Sequence, residues 1–203
     1  MIFYIVKISA ICYYCGADCI QHSNKRNRGV IVDKSRCGIF GCSPLYFDWG
    51  FDEEDARCKK MKQDMSREIE RLCNNGISCF AIVMDGGVGL YAAELINKLR
   101  KSRKELFLIC YVPYEGQANK WPSELRERYF DVLENSSDVI TLERGYRPGS
   151  ETRARVTAVH FAHRLILVNS AANPEDSMTA IAALSELAKI PVILIDPLDK
   201  GQS

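Results

Sequence analysis

The chain has 203 residues, of which 47% are hydrophobic and 26% are charged. It therefore has enough apolar side chains to build a core, and this composition excludes a disordered protein. Its 27 Lys and Arg nearly balance 26 Asp and Glu, which gives a formal net charge of +1. The balance excludes a protein held on nucleic acid or anionic lipid by an overall positive field, so any polyanion site must be local.

The first ten residues are apolar, but they are interrupted by Lys7 and lack a basic leading segment, so they do not predict a secretory signal. No stretch reaches the roughly 18 to 20 apolar residues that a membrane-spanning helix needs. Nine cysteines are an odd number, and most of those after residue 40 fall in predicted helices and strands, which does not indicate a disulfide scaffold. We therefore predict a cytoplasmic protein without membrane contact.

The chain divides by pattern into an N-terminal extension, residues 1–33, and a folded domain, residues 34–203. The extension contains Cys12-Tyr13-Tyr14-Cys15, and two cysteines at this spacing can bind a zinc ion when two further ligands are present. A zinc site formed by Cys12, Cys15, Cys19 and Cys37 is one hypothesis. The irregular second half of this set instead favours thiols without a metal, so we predict no metal and no cofactor.

From residue 34 onwards, short apolar runs alternate with stretches of helical periodicity. The runs predict strands over Cys37–Phe40, Ser78–Met84, Leu106–Val112, Asp138–Leu142, Arg164–Val168 and Pro191–Asp196. The first helix should bury Cys58, Met61, Met65, Ile69 and Leu72 and end at Asn75-Gly76. Four more helices are predicted over 89–104, 122–135, 150–162 and 176–188.

Repeated strand and helix units over about 160 residues predict an α/β fold, a Rossmann-like three-layer sandwich with a mostly parallel sheet. The strands are mostly apolar without strict alternation, which is typical of strands covered on both faces. In such sheets the ligand crevice lies beyond the carboxyl ends of the strands. The loops that follow the strands are therefore where a site is expected.

The loop after the second strand is Met84-Asp85-Gly86-Gly87-Val88-Gly89, and it leads directly into a helix. Gly86, Gly87 and Gly89 would let backbone amides approach a phosphate, and the helix N-terminus would add a partial positive charge. The alternative is that the glycines only permit a tight turn and close helix packing.

The loop after the third strand, residues 113–121, is longer than a plain connection and mixes aromatic, amide and carboxylate groups, which is typical of a binding loop. Gln117 and Trp121 are its candidate ligand residues, although Trp121 could instead anchor the helix that follows.

Four arginines lie close together after the fourth strand: Arg144, Arg147, Arg153 and Arg155. One or two of them could bind a phosphate in a bidentate manner, and the alternative is a solvated surface paired with Glu143 and Glu151. The segment Asp176–Thr179, before the last helix, is interpreted mainly as a helix cap.

Read together, these segments resemble the YpsA-like family of the SLOG superfamily, a Rossmann-like group that also includes phosphoribohydrolases and DprA. The resemblance runs from about Ile39 to Pro197. Its most specific part is the block from Pro113 through Gln117 and Trp121 to Arg128 and Tyr129. It is supported by Ala92-Ala93-Glu94 and by the segment 47–55.

The resemblance implies a domain that binds nucleotides or nucleotide-derived ligands, and it favours Gly87, Glu94, Gln117, Trp121 and either Arg153 or Arg155 as ligand residues. Three loops depart from the family pattern. Phe40-Gly41-Cys42-Ser43-Pro44 replaces a Thr-Gly-His-Arg-Pro run, Gly89 stands where an acid is common, and the turn before the last helix is reduced.

These observations favour non-catalytic binding or sensing of a nucleotide-derived small molecule. A phosphoribohydrolase-like N-glycosidase is the alternative, and it would need a carboxylate near the ribose, for which Glu94 and Glu115 are the candidates. DprA-like binding of single-stranded DNA ranks third, since the chain is nearly neutral and a nucleic-acid partner is therefore not expected. Apolar faces on edge helices allow a homodimer.

Overall fold

The computed structural model describes residues 35–170 and 173–198. The N-terminal extension, with Cys12, Cys15 and Cys19, lies outside the described residues. The division at residue 33 and the zinc hypothesis therefore stay predictions.

Six parallel strands form one sheet in the order β4-β3-β2-β1-β5-β6. They are β1 (Ser35–Gly41), β2 (Ile77–Val83), β3 (Phe107–Val112), β4 (Asp138–Thr141), β5 (Arg164–Val168) and β6 (Val192–Ile195). The central strand β1 pairs with β2 on one side and β5 on the other, so the strand order reverses at β1. In an open parallel sheet this reversal creates a crevice at the carboxyl ends of the strands.

Five α-helices connect the strands. They are α1 (Ala56–Asn74), α2 (Val88–Arg100), α3 (Ser123–Glu134), α4 (Ser150–Phe161) and α5 (Asp176–Leu187). Helix α1 buries all five of the apolar residues that the spacing predicts. Asn75 is its C-cap residue and precedes Gly76, whose φ is +89°. No helix in the described part of the chain is long and apolar enough to cross a lipid bilayer.

The helices cover both faces of the sheet. Helix α2 contacts α1 and α3, α4 contacts α5, and both α2 and α4 pack over the central strands. The core is formed by the central strands and the helix faces that meet them, and its largest fully buried side chains include Phe80, Ile82, Leu108 and Tyr111. The α/β Rossmann-like sandwich predicted from the alternation is confirmed, and every strand pair is parallel.

Helix α2 is shorter than the spacing predicts, because it ends at Arg100 instead of continuing to Lys104. The Ser102 hydroxyl donates to the carbonyl oxygen of Leu99 at 3.1 Å, and the Arg103 amide donates to the same carbonyl. The Ser102 amide also donates to this carbonyl, three residues back, which is the tighter bonding typical of a final helical turn.

The two edge strands are not covered on both faces as predicted. In β4 exposed residues alternate with partly buried ones, and in β6 Val192 and Leu194 are exposed while Ile195 is buried. An edge strand has a neighbour on one side only, so short apolar runs in the sequence do not distinguish it from a central strand.

Cys37, one of the four predicted zinc ligands, lies in β1 as a buried free thiol that donates to the carbonyl oxygen of Gly38 at 3.5 Å. Burial raises the pKa of this thiol to about 12, which disfavours the thiolate form that binds metal. Among residues 35–170 and 173–198, no group of three or more His, Cys, Asp or Glu side chains could hold a metal ion.

Candidate functional site

A cavity of about 760 Å³ opens at the carboxyl ends of β2 and β3, where the loops after β1, β2 and β3 meet α3. Its floor is the turn at the end of β2, from Val83 to Gly86, and Pro44 lies on the side of β1. Aromatic rings of Phe51, Tyr114 and Trp121 line its walls. A concave, largely preformed site with aromatic walls and a few polar groups is typical of small-molecule binding.

Four of the eight predicted ligand residues line this cavity: Gly86, Gln117, Trp121 and Arg155. The other four, Gly87, Gly89, Glu94 and Arg153, lie outside its lining. The reasons differ from residue to residue, and they follow from the contacts that each one makes.

Two glycines of the turn are required by close packing. A Cβ on Gly87 would lie 2.5 Å from the ring of Pro44, and a Cβ on Gly89 would lie 2.3 Å from the carbonyl oxygen of Val83. Real Cβ atoms do not approach other atoms so closely, so α2 can begin this near to β2 and to the loop after β1 only with glycines there. Gly86 differs in degree: a Cβ there would lie 3.2 Å from the end of the Leu125 side chain and 3.8 Å from the ring of Trp121, so its contacts are with side chains that can shift.

Asp85 occupies the place where a phosphate was predicted. Its Oδ1 accepts hydrogen bonds from the amides of Gly87 and Gly89, at 2.8 and 3.0 Å. These amides belong to the N-terminus of α2, where unpaired donors and the helix dipole favour a negative charge. The chain thus supplies its own carboxylate to this position. Sequence reasoning missed the role of Asp85, although an acid directly before Gly-Gly at the end of a buried strand was a visible signal.

The Asp85 carboxyl group lies at the cavity floor. Burial raises its pKa to about 6, although the two amides and the nearby Arg155 guanidinium act in the opposite direction and Glu175 adds a further rise. The Cys42 thiol also lies close by. A raised pKa in a cavity is a feature shared by many functional carboxyl groups.

Asp85→Asn is expected to stabilise the protein at pH 8 by about 1–2 kcal/mol, and by much less near pH 4. In the folded protein the carboxyl pKa is about 6, against about 3.9 in the unfolded chain, so folding is penalised above pH 6 and the penalty disappears as the pH falls towards 4. The magnitude is kept below the full shift because the residue is only partly buried. Urea denaturation of both proteins at the two pH values measures it. If the variant is less stable than wild type at pH 8, or if the difference does not depend on pH, the pKa of Asp85 is not raised in the folded protein.

Arg155 lines the cavity and is held by the residues that precede and begin α5. Its Nη1 donates to the Ser177 hydroxyl at 3.0 Å and lies 3.5 Å from Glu175 Oε1. Both side chains of the pair are 12% exposed. The other oxygen of Glu175 accepts from the amide of Ser43 at 2.7 Å, which ties the loop after β1 to the start of α5. Most of the charge of Arg155 is therefore already balanced by Glu175.

The predicted cap at Asp176–Thr179 is shifted by one residue. The N-cap residue of α5 is Glu175, and no side-chain capping bond is formed. Glu175 instead directs its carboxylate to Ser43, Ser177 and Arg155. The Glu175 side chain thus binds residues beside the cavity and does not cap the helix.

Gln117 and Trp121 fix the loop after β3 against the cavity. The Gln117 Nε2 donates to the carbonyl oxygen of Met84 and to the hydroxyl of Tyr129, both at 3.1 Å. Trp121 meets the Tyr129 ring edge-on, with 5.2 Å between the ring centres. Trp121 thus contacts the helix that follows it, as the alternative interpretation proposed, and it also lines the cavity.

Arg153 faces away from the cavity lining. Its Nε donates to Glu143 Oε1 at 2.5 Å and its Nη1 donates to the carbonyl oxygen of Pro148 at 2.9 Å, and its side chain is 49% exposed. Hydrogen bonds from Arg153 and Ser150 lower the pKa of Glu143. This pair matches the solvated-surface alternative for the arginine cluster.

Glu94 forms an ion pair with Arg128, which lines the cavity. The guanidinium donates to Glu94 at 2.7 and 2.9 Å and to Glu53 at 2.6 and 3.2 Å, and Lys62 also pairs with Glu53. Burial alone would raise the pKa of Glu53, but hydrogen bonds from Arg128 and Lys62 outweigh it and lower the pKa overall. Arg128 therefore joins the segment before α1 to α2 and α3.

The cavity lining carries more acidic than basic groups. In the described part of the chain, five carboxyl side chains line it, against three cationic ones. The acids are Glu53, Glu54, Asp85, Glu124 and Glu151, and the cations are Lys120, Arg128 and Arg155. Two of the cations, Arg128 and Arg155, are already paired with carboxylates. The lining therefore does not present a strongly positive surface to a ligand.

Comparison with known proteins gives the family. The profile described as the YspA SLOG family matches residues 45–190. The chain is 28% identical over 96 residues to a UPF0398 protein of Halalkalibacterium halodurans, covering 47% of this chain and 51% of that one. It is 29% identical over 82 residues to a UPF0398 protein of Oceanobacillus iheyensis, covering 40% and 44%. The matched segment thus spans about half the length of these curated relatives. Because the family profile covers most of the chain and the Rossmann-like fold agrees with it, the chain belongs to the YspA SLOG family.

Proposed function

We propose that the cavity at the carboxyl ends of β2 and β3 binds a nucleotide or a nucleotide-derived small molecule. The observation that carries the proposal is the arrangement of Trp121 beside Gly86 and Asp85. A flat aromatic ring thus lines the same cavity as a glycine backbone and a carboxylate. Any nucleobase can stack on an aromatic ring, because every base has a π face.

Binding without turnover is the first form of this proposal. The two carboxylates expected to act in hydrolysis are not in the cavity lining: the Glu94 carboxylate is bound to Arg128, and Glu115 is an exposed residue. A ligand that is bound and released unchanged fits a sensing or carrier role.

A nucleotide-processing N-glycosidase is the second form, and Asp85 is the observation that favours it. A carboxyl group with a pKa of about 6 can exchange a proton near neutral pH, as general acid–base catalysis requires. Asp85 would take the role predicted for Glu94 or Glu115.

The experiment is thermal unfolding against nucleosides, nucleoside phosphates, ADP-ribose and NAD, followed by product analysis of each compound that binds. A ligand present at about 100 times its dissociation constant should add about 2.7 kcal/mol of stability. Recovery of the intact compound supports binding without turnover, and recovery of free base and sugar supports hydrolysis. If no compound shifts the transition, the proposed function is wrong.

Trp121→Ala is expected to weaken binding of any compound found in that screen at least tenfold, which is about 1.4 kcal/mol, because one wall of the cavity is removed. Isothermal titration measures the affinity. Phe130→Ala is the matched control, since Phe130 is a half-exposed aromatic residue on α3 outside the cavity lining. Equal affinities of wild type and Trp121→Ala would place the ligand elsewhere.

A further inference from the structure

Two hydrogen-bond acceptors, on Asp85 and Gln117, determine which part of a ligand can face the floor of the cavity. The amides of Gly87 and Gly89 are already bound to Asp85 Oδ1. Among the described residues, no donor is bound to the second carboxylate oxygen, Oδ2. The glycine turn therefore offers a ligand an acceptor in place of the donors that a phosphate requires.

Gln117 adds a second acceptor. The carbonyl oxygen of Met84 can only accept, so the atom of the Gln117 side chain that faces it must be the Nε2 donor. Both protons of that amide are directed to Met84 and Tyr129. Its Oε1 accepts no hydrogen bond from the described residues and can accept one from a ligand.

The charges around the cavity also disfavour a phosphate. Carboxylates outnumber cations in its lining, and Glu175 and Glu94 already engage the guanidinium groups of Arg155 and Arg128. A phosphate placed at the turn would meet the Asp85 carboxylate at short range with little compensating positive charge. Like charges at such a distance repel, most strongly where water is partly excluded.

From these contacts we propose that the site selects a nucleoside-type ligand, which presents hydroxyl and amino donors to the floor, over the corresponding 5′-phosphate. The ribose hydroxyls are donors to Asp85 Oδ2, an amino or imino group of the base is a donor to Gln117 Oε1, and the base stacks on Trp121. This inference rests on the proposed function, because it specifies the ligand class of the same cavity.

Titration calorimetry at pH 8 with the four ribonucleosides and their 5′-monophosphates tests the selection. At least one nucleoside is expected to bind ten times or more tightly than its own monophosphate. Tighter or equal binding of the monophosphate would overturn the selection while leaving the proposed function intact. If neither series binds, the selection is overturned, and the proposed function fails as well only if ADP-ribose and NAD also leave the thermal transition unchanged.

Asp85→Asn tests the residue that carries the selection. The variant keeps an oxygen for the two amides but loses the charge, so the nucleoside preference is expected to fall from tenfold or more to about onefold. Asp48→Asn makes the same chemical change on a side chain that is 72% exposed and outside the cavity lining, and it should leave the preference unchanged. If Asp85→Asn still prefers the nucleoside tenfold over its monophosphate, the Asp85 charge does not cause the selection.

The pH dependence of the preference provides a second measurement. Lowering the pH from 8 to 5 protonates Asp85, which faces Arg155 from α4, Glu175 from the start of α5 and Cys42 after β1. The preference for the nucleoside over its monophosphate is expected to shrink at least threefold at pH 5. The phosphate group also gains a proton over this range, since its second pKa is about 6, so the same titrations are run on Asp85→Asn. A pH-dependent change in wild type no larger than that in Asp85→Asn would contradict the role of the Asp85 charge.

Discussion

Gly89→Ala is expected to lower the free energy of unfolding by about 3 kcal/mol or more. Helix propensity alone predicts the opposite, since alanine in a helix is favoured over glycine by about 1 kcal/mol. Packing outweighs propensity here, because the added methyl group would lie 2.3 Å from the carbonyl oxygen of Val83. That oxygen belongs to the backbone of β2, so relief requires the helix and the central strand to separate.

The same methyl group would lie 3.1 Å from the Asp85 carboxyl carbon, so the variant also disturbs the turn that holds this carboxylate. Urea denaturation followed by circular dichroism measures the effect. Gly145→Ala is the matched control: a Cβ there meets no atom within 4 Å, and its stability should change by less than about 0.5 kcal/mol. A Gly89→Ala protein as stable as wild type would contradict the close approach of α2 to β2.

Arg128→Met is expected to lower the free energy of unfolding by about 2–3 kcal/mol. The substitution keeps most of the side-chain volume but leaves Glu53 and Glu94 without their shared guanidinium. Both carboxylates are about 30% exposed, so each lone charge is partly desolvated, and the full cost of a deeply buried pair is not reached. The loss should grow when Lys62 is also replaced, since Lys62 is the remaining cation on Glu53.

The control for Arg128 is Arg67→Met, which removes an arginine whose side chain is 72% exposed. Within the described part of the chain it pairs only with Asp64 on the same helix. Exposed pairs of this kind contribute about 0–1 kcal/mol. A double-mutant cycle with Glu94→Gln isolates the coupling between Arg128 and Glu94. A loss in Arg128→Met no larger than that in Arg67→Met would show that the network does not stabilise the fold.

The elements of the fold could be read from local sequence. Apolar runs placed six strands and spacings of three and four placed five helices, because both patterns arise from the geometry of a single element. The end of α2 was misplaced, since it depends on Ser102 and the Leu99 carbonyl and not on apolar periodicity. Exposure of β4 and β6 could not be read either, because it depends on strand order and not on strand composition.

The site was predictable only in part. The loops that hold Gly86, Gln117, Trp121 and Arg155 were identified by their position after strands, and all four residues line one cavity. Arg153 and Arg155 were indistinguishable in sequence, and it is the helix phase in α4 that directs one towards Glu143 and the other towards Glu175. The role of Arg128 was not recognised, since its partners Glu53 and Glu94 are 75 and 34 positions away.

By itself, the sequence determined the α/β class, the parallel sheet, the family and the loops in which a site must lie, because each of these follows from patterns within one element or one short segment. Only the tertiary structure decided what the glycine turn holds. The amides of Gly87 and Gly89 point to Asp85 because α2 packs directly against the end of β2, and that approach fixes a carboxylate where an unfilled turn would accept a phosphate.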